Sequence, residues 1–191
     1  KVSRDGNPLE ELFPVIKVAL TESGLSLTDI GSYIYCEGPG SVLGLRLCAM
    51  AIETWTRIYP ESAQYYKYNS LQLSAYALLH AKPDLQDALI VADWKKGAWN
   101  ALYIRGRHVG VTEVIDDASL GDWKDLIYHL PQRKGWQSPP EKVQTLRYDP
   151  SLLDTISDAS GLIRMTARIE LYNSGINTFQ KWTPTRHRAQ A

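Results

Sequence analysis

The chain has 191 residues, of which 21 are basic and 21 are acidic, so its formal net charge is zero. That balance excludes a protein that binds nucleic acid by neutralising many phosphates with its own lysines and arginines. The length is enough for one large domain or two small lobes with a core of ordinary size.

Cysteine content and hydropathy indicate the compartment. Cys36 and Cys48 are the only cysteines, and both lie in apolar contexts. They match neither a disulfide framework nor a metal-ligand spacing, which favours a reducing environment. No apolar run reaches the roughly 18 to 20 residues that a membrane-spanning helix needs, and no signal-peptide pattern opens the chain. We therefore expect a soluble cytoplasmic protein.

A helix is predicted near the start of the chain, from Asn7 to a stop at Gly24. Asn7 is a good N-cap, a proline follows it at the first helical position, and Glu10 can complete a capping box. Pro14 lies inside the pattern and should bend the helix or make its first turn irregular. Apolar residues repeat at helical spacing between the two ends: Leu9, Leu12, Ile16 and Leu20.

A strand, a tight turn and a second helix follow. Residues 32–37 form an apolar run typical of a strand buried on both faces. Residues 38–41, Gly-Pro-Gly-Ser, form the turn, here named the GPGS turn. The helix predicted over residues 42–58 has, at about 100° per residue, only a narrow polar stripe, made of Arg46, Glu53 and Arg57. Because a helix that is apolar nearly all round is buried on more than one side, we expect one side to face a sheet and the other to be covered by another helix or another protein.

The rest of the chain continues to alternate between strands and helices. The patterns predict strands over residues 64–68, 88–92, 98–104, 109–115 and 143–147, and helices over residues 70–80, 120–128 and 160–172. Residues 93–97 are predicted to be the turn of a hairpin, and residues 131–141 a loop. The alternation indicates an α/β architecture with a mixed sheet.

The GPGS turn precedes a helix, as phosphate-binding loops do, but it fails the spacing of two known motifs. A Walker-type loop needs Gly-Lys-Ser/Thr, whereas Leu45 and Arg46 follow Gly44. In the dinucleotide fingerprint the third glycine would come one residue earlier than Gly44, and an acidic residue would end the next strand. The simplest interpretation is a structural turn with a serine N-cap. An anion contact at the helix N-terminus stays open.

Other groups of chemically active residues give weak signals. The histidines are too far apart in sequence to suggest a metal site: His80, His108, His129 and His187. Asp93 and the pair Asp116 and Asp117 are the best isolated carboxylates, and the pair is typical of a solvated turn. The absence of a Gly-x-Ser-x-Gly elbow and of a cysteine near a histidine makes a peptidase the least supported class. The basic clusters at residues 95–96 and 186–188 are typical of a solvated turn and tail, with a weak RNA contact as their alternative use.

The segment GPGSVLGLRL at residues 38–47 resembles the GPGSFTGLRIG signature of the TsaB (YeaZ) family. Upstream, LEELFPVIKVALTESGLSLTDIGSYIYCEGPGS has the family's order of helix, connection and strand, with Pro14 where that family keeps a proline. Downstream, YNSLQLSAYAL is similar to the family's SSLEALA helix start, and ALIVADWKKGAWNALYI to its DAR-GEVY hairpin. The resemblance covers about residues 9–104, and Pro184 with Arg186 is similar to the family's C-terminal Pro-x-Tyr-Leu-Arg ending.

Some positions depart from the family pattern. Val42 and Leu43 stand in place of Phe-Thr, residues 94–95 in place of Ala-Arg, and residues 98–100 in place of Glu-Val-Tyr. The family's opening strand, which carries an aspartate, has no counterpart before Lys1. If that strand is truly absent, the resemblance does not lead us to expect nucleotide binding in the first lobe; if it lies upstream of Lys1, this objection disappears.

The resemblance implies an α/β, actin/Hsp70/sugar-kinase-like (RNase H-like) fold of two lobes with mixed sheets, here expected at residues 1–82 and 83–191. It implies a scaffold subunit that is not itself catalytic and that pairs with the enzyme TsaD, alongside the ATPase TsaE, in the threonylcarbamoyl modification of tRNA adenosine. Contact with tRNA would be indirect, and no metal or cofactor is expected within the chain, with ATP or ADP left open at a partner interface. Without the partner, the apolar surface of the first two helices is expected to make a homodimer, because a large apolar patch rarely stays in contact with water.

Two sets of residues are predicted to carry this role. The partner surface would be formed by residues of the first two helices: Leu12, Ile16, Leu43, Leu47, Met50 and Ile52. The signature residues, which are candidates for a nucleotide contact, are Gly38, Pro39, Gly40, Ser41, Gly44 and Arg46. The alternative function is an active ATP-dependent kinase or hydrolase of the same fold, with the GPGS turn against the nucleotide phosphates.

Overall fold

Two β-sheets form the framework of the protein in the computed structural model, which describes residues 1–4, 6–59, 63–131, 139, 143–156 and 161–175. The first sheet has three strands, in the order Ser32–Gly38 (β1), Gln64–Asn69 (β2) and Arg164–Thr166 (β9). β1 and β2 are parallel, and β9 is antiparallel to β2. This sheet is therefore mixed, as predicted, although its third strand comes from late in the chain.

The second sheet is built around a fully buried hairpin. Its strands are Ala88–Lys95 (β3), Ala98–Arg105 (β4), His108–Val109 (β5), Glu113–Asp116 (β6), Leu126–Leu130 (β7) and Gln144–Thr145 (β8). The order is β5-β4-β3-β7-β8, and β6 also pairs with β4. β3 is antiparallel to β4 and parallel to β7. The hairpin turn is tighter than predicted, because β3 continues to Lys95 and Gly97, with φ at 78°, supplies the left-handed conformation.

The first helix, Pro8–Ser23 (α1), begins and ends where the sequence predicts. The Asn7 side chain accepts a hydrogen bond from Leu9 N, and Gly24 adopts the left-handed conformation that commonly ends helices. Pro14 lies inside α1 without ending it. No residue of α1 is buried, so this helix lies on the outside of the protein.

The second helix, Val42–Ile58 (α2), connects the parallel strands β1 and β2. The Ser41 hydroxyl caps it by accepting a hydrogen bond from Gly44 N at 3.3 Å. Of the long apolar surface of α2, only Ala51 and Ile52 are buried. The described part of the chain therefore buries α2 on one side only, whereas the sequence pattern predicts burial on more than one side.

The third helix, Ser70–Ala81 (α3), joins the two sheets. Asn69 caps it through hydrogen bonds from the backbone N–H groups of Leu71 and Gln72. Leu71 and Leu78 pack in the core of the second sheet, while Leu73 packs in the core of the first. Seven of its twelve residues are buried, because the helix contacts apolar surface on both sides.

Two helix predictions in the second half of the chain are wrong. Residues 120–128 form the end of a short helix, Asp117–Asp122 (α4), followed by β7. In the predicted helix over residues 160–172, Ser160 lies outside the described residues, and the rest contains β9 and an irregular segment. Both segments find a strand partner far away in sequence, β3 for β7 and β2 for β9. Such pairing overrides a weak local preference for helix.

The remaining elements agree with the predictions in part. The strand predicted over residues 109–115 is divided between β5 and β6, and that over residues 143–147 is reduced to β8. Most of the loop predicted over residues 131–141 lies outside the described residues. Three short helices were not predicted: Leu27–Asp29 and Pro150–Leu152, both 3-10, and Leu153–Ile156 (α5). The division of the chain into two lobes after residue 82 stays a prediction. β9 belongs to the first sheet although it comes from the second half of the chain.

No helix within the described ranges is long and apolar enough to cross a membrane.

Candidate functional site

The GPGS turn ties the end of β1 to the starts of α2 and α3. Gly38 has φ at 115°, in the region that favours glycine, and the peptide bond to Pro39 is cis. The carbonyl oxygen of Pro39 accepts a 2.6 Å hydrogen bond from the buried Ser70 hydroxyl at the start of α3. Ser41 caps α2. The turn is thus held at both of its ends.

Gly44 allows α1 and α2 to approach each other closely. A Cβ atom at Gly44 would lie 3.2 Å from Cγ of Pro8, the first residue of α1. Gly44 is therefore a packing residue at the point where α2 meets the start of α1. Arg46, also in the signature, is exposed on α2.

A cavity of about 310 Å³ lies beneath the GPGS turn. Its walls combine residues from both halves of the chain, among them Cys36, Leu45 and Ser70 from the first half and Leu130, Pro131 and Tyr148 from the second. Sequence reasoning identified the turn but missed the cavity. No sequence signal connects residues so far apart in the chain.

The polar side chains around this cavity are already engaged with protein atoms. The Tyr148 hydroxyl lies 2.7 Å from the hydroxyl of Tyr68, and the Ser70 hydroxyl donates to the turn. Among the residues that the structure places in the lining, none is charged. Burial raises the pKa of the Cys36 thiol and, strongly, the pKa of the Tyr148 hydroxyl, since each loses solvation in its charged form. The surroundings therefore favour uncharged groups.

A group of charged residues surrounds Glu37, near the end of β1. The buried carboxylate of Glu37 contacts Lys67 Nζ at 3.1 Å and Arg164 Nη2 at 2.5 Å. Lys67 also reaches Glu170 at 3.4 Å, and Glu170 pairs with Arg168 at 2.7 Å. These contacts fasten the 167–175 segment and β9 to the first sheet.

The predicted partner residues occupy different depths on α1 and α2. Met50 is 64% exposed and Leu43 is 51% exposed, whereas Ile52 is 7% exposed and belongs to the core. Half-buried positions are taken by the other three: Leu12, Ile16 and Leu47. Between Met50 and Ile52, Met50 is therefore the residue that can meet a partner.

Further apolar residues extend this surface beyond the predicted set. Leu9 and Phe13 of α1 and Val42 of α2 are also exposed. Phe13 packs edge-on against Trp55 with ring centroids 6.4 Å apart, and Trp55 stacks on Tyr33. We name the exposed residues the α1–α2 face: Leu9, Phe13, Val42, Leu43 and Met50. The predicted partner set did not include Leu9, Phe13 or Val42, although all three lie in the two predicted helices or at their starts.

The isolated carboxylates have structural roles in this fold. Asp116 caps α4 by accepting a 2.8 Å hydrogen bond from Ser119 N, and Asp117 accepts one at 2.7 Å from the indole N–H of Trp99. Asp93 is buried beside His129, with Oδ1 3.0 Å from Nε2. Within the described residues, no group of three histidine, cysteine or acidic side chains could hold a metal ion. His187 and residues 186–188 lie outside the described residues.

Comparison with known proteins gives similarity at the level of structure. No protein-family model matches the chain, and neither does any curated protein. One similar solved structure is an uncharacterised protein from Pseudomonas aeruginosa, described as similar to the peptidase YeaZ. Its TM-score is 0.56 at 13% identity, and the match covers 85% of this chain and 82% of that one. Another is YeaZ from the same organism, with a TM-score of 0.53 at 14% identity. That match covers 75% of this chain and 71% of the YeaZ chain.

At such low identity the similarity establishes the fold alone. The chain has the α/β fold of these YeaZ structures, in the actin/Hsp70/sugar-kinase-like (RNase H-like) class with mixed sheets. The predicted fold class is therefore confirmed.

Proposed function

We propose that this protein is a TsaB-type scaffold subunit, not itself catalytic, that binds a TsaD-like enzyme through its α1–α2 face. In this role it supports the threonylcarbamoyl modification of tRNA adenosine in the cytoplasm, together with a TsaE-like ATPase. Its contact with tRNA is indirect. Support comes from the YeaZ-like fold and the signature-like GPGS turn.

The observation that carries the proposal is the exposed apolar surface of the first two helices. α1 has no buried residue, and α2 has two. Large apolar side chains of both helices are half or more exposed. Exposed apolar side chains gathered on two packed helices mark interaction sites in proteins that are otherwise polar outside. A partner that covers this face would also account for the all-round apolar pattern of α2.

The local architecture is suited to a preformed docking surface. Gly44 lets α1 and α2 pack closely, and the Phe13 and Trp55 rings lock the two helices together. The Ser41 cap fixes the start of α2 relative to β1. Because these contacts are made within the chain, a partner would meet an ordered surface and lose little conformational entropy on binding.

The chain offers a closely matched pair of variants for the test. Met50 on the α1–α2 face is 64% exposed, and Met165 on β9 is 66% exposed. We expect Met50→Glu to weaken association with a TsaD-like protein by at least about 2 kcal/mol, or roughly 30-fold in Kd, because it places an unpaired charge in an apolar interface. Met165→Glu should leave Kd unchanged.

Titration calorimetry with purified proteins gives both dissociation constants, and circular dichroism verifies that each variant is folded. Equal Kd values for the wild type and the folded Met50→Glu variant would reject the proposed surface. Equal weakening by both variants would show that added charge, rather than position, is responsible.

The alternative of an active ATP-dependent kinase or hydrolase has less support. Such an enzyme commonly presents cations to the phosphates, whereas the lining residues that the structure describes in the cavity beneath the GPGS turn include no cationic side chain. Calorimetry with ATP and Mg²⁺ separates the two functions. Tight, Mg²⁺-dependent binding that is lost in Gly40→Val would favour the enzyme.

A further inference from the structure

We propose that the cavity beneath the GPGS turn binds an uncharged aromatic ring system about the size of two fused rings. This inference concerns a different surface from the α1–α2 face and does not depend on a TsaD-like partner. It also gives the signature loop a ligand class other than a nucleotide phosphate.

The size of the cavity sets the size of the ligand. Its volume is about 310 Å³, roughly twice the ~150 Å³ of an engineered apolar cavity in another protein that accepts benzene. It also lies at the lower end of the range typical of small-molecule sites, about 300 to 1,000 Å³. A fused bicyclic ring therefore suits it better than a single ring or an extended cofactor.

The described walls of the cavity are mostly apolar. Leu45, Leu130 and Pro131 contribute apolar surface, and no charged side chain is among the residues that the structure places in the lining. The raised pKa of the Cys36 thiol reports the same low-polarity surroundings. A phosphate or carboxylate would lose part of its hydration here and would meet no cationic side chain among the described lining residues, which is costly.

Each hydroxyl group of the described lining already makes a hydrogen bond within the protein. Ser70 donates to Pro39 O at 2.6 Å, Ser41 accepts from Gly44 N, and Tyr148 pairs with Tyr68 at 2.7 Å. A ligand rich in hydrogen-bonding groups would enter at the cost of these bonds or with its own groups unpaired. A hydrocarbon ring has no hydrogen-bonding groups to leave unpaired, and its transfer out of water is favourable in free energy.

The test uses naphthalene as the probe and 2-naphthoate as its charged counterpart. In amide NMR spectra of the full chain, naphthalene should produce saturable shifts at Gly40 and Leu45, whereas 2-naphthoate should bind at least about tenfold more weakly, because it carries a charge into the cavity. The absence of saturable shifts from naphthalene overturns the inference. Equal affinity for the two compounds, or shifts of the same amides by ATP with Mg²⁺, also overturns it.

A matched pair of variants locates the site. Leu45 lines the cavity, while Leu43, two residues away on α2, is 51% exposed and is not among the lining residues. Leu45→Trp should fill the cavity and weaken naphthalene binding by at least about tenfold, and Leu43→Trp should leave it unchanged. Unchanged binding in a folded Leu45→Trp variant overturns the inference.

If the Leu45→Trp variant does not fold, thiol alkylation of the wild-type chain tests whether naphthalene binds in the cavity. Cys36 lies in the cavity wall and Cys48 does not, so the two thiols act as reporter and internal reference. At ten times its Kd, naphthalene should slow alkylation of Cys36 by about tenfold through occupancy of the site, with the rate at Cys48 unchanged. Equal effects on both cysteines, or none on Cys36, overturn the inference. Binding of a TsaD-like partner is a separate measurement, so failure here leaves the proposed function standing.

Discussion

Glu37 is a buried carboxylate whose charge is balanced by residues from two other strands. It is 6% exposed, and its oxygens contact Lys67 of β2 and Arg164 of β9. A buried charge without partners would be strongly destabilising. Glu37 thereby helps to select β9 as the third strand of the first sheet. Its backbone oxygen also accepts a hydrogen bond from Tyr172 N at 2.7 Å.

Glu170 makes the attachment of the 167–175 segment dependent on pH. Hydrogen bonds from Arg168 and then Lys67 hold the pKa of Glu170 below its usual 4.5. Since the folded-state pKa is the lower one, the stabilisation is complete above about pH 4.5 and is lost as the pH falls through the folded-state pKa. We expect the amides of Glu170 and Tyr172, which donate to Tyr35 and Glu37, to lose hydrogen-exchange protection in that acidic range.

Hydrogen exchange corrected for the intrinsic pH effect measures this loss. Glu170→Gln should remove the pH dependence, whereas Glu113→Gln, on β6, should keep it. Protection that is constant from about pH 6 to about pH 3 would contradict the role of Glu170.

At the scale of elements, the sequence predicts best where the signals are local. α1 and α3 are bounded by caps that can be read from neighbouring residues, Asn7, Gly24 and Asn69. β7 and β9 are set by pairing with strands more than thirty residues away, so a periodicity over ten residues does not identify them. The same reason limits prediction of the site. The GPGS turn is a local motif, but Tyr148 joins it only through the fold.

The short connection between β5 and β6 provides a test of close backbone packing. A Cβ atom at Gly110 would lie 3.0 Å from the carbonyl oxygen of Tyr103, which accepts a hydrogen bond from Gly110 N. Gly110→Ala must push β4 and this connection apart, and we expect a loss of about 1 to 3 kcal/mol in the free energy of unfolding. Urea denaturation measures the change.

Gly121 is the matched control for this variant. It lies in α4, and a Cβ atom there would meet nothing within 4 Å. Gly121→Ala should be neutral or stabilise the protein by up to about 1 kcal/mol, because alanine favours the helix. Equal stability changes for the two alanine variants would show that the Gly110 contact does not constrain the fold.

At the scale of the whole molecule, the two candidate surfaces adjoin at the start of α2 but are formed by different residues. The α1–α2 face belongs to the first third of the chain, whereas the cavity is partly open and is lined by residues from both halves. α3 connects the two cores. A protein-docking face and a small-molecule site can therefore be disrupted independently, one by Met50→Glu and the other by Leu45→Trp.

The exposed α1–α2 face also predicts the state of the chain without its partner. Two copies can bury the same apolar face against each other around a two-fold axis, the commonest arrangement for soluble oligomers. Because a large apolar patch rarely stays in contact with water, we expect light scattering to give the mass of two 21.5 kDa chains. Met50→Glu should shift the mass to one chain, and Met165→Glu should not. A strict monomer for the wild type at high concentration would contradict self-association, and a dimer that persists in Met50→Glu would place the contact elsewhere.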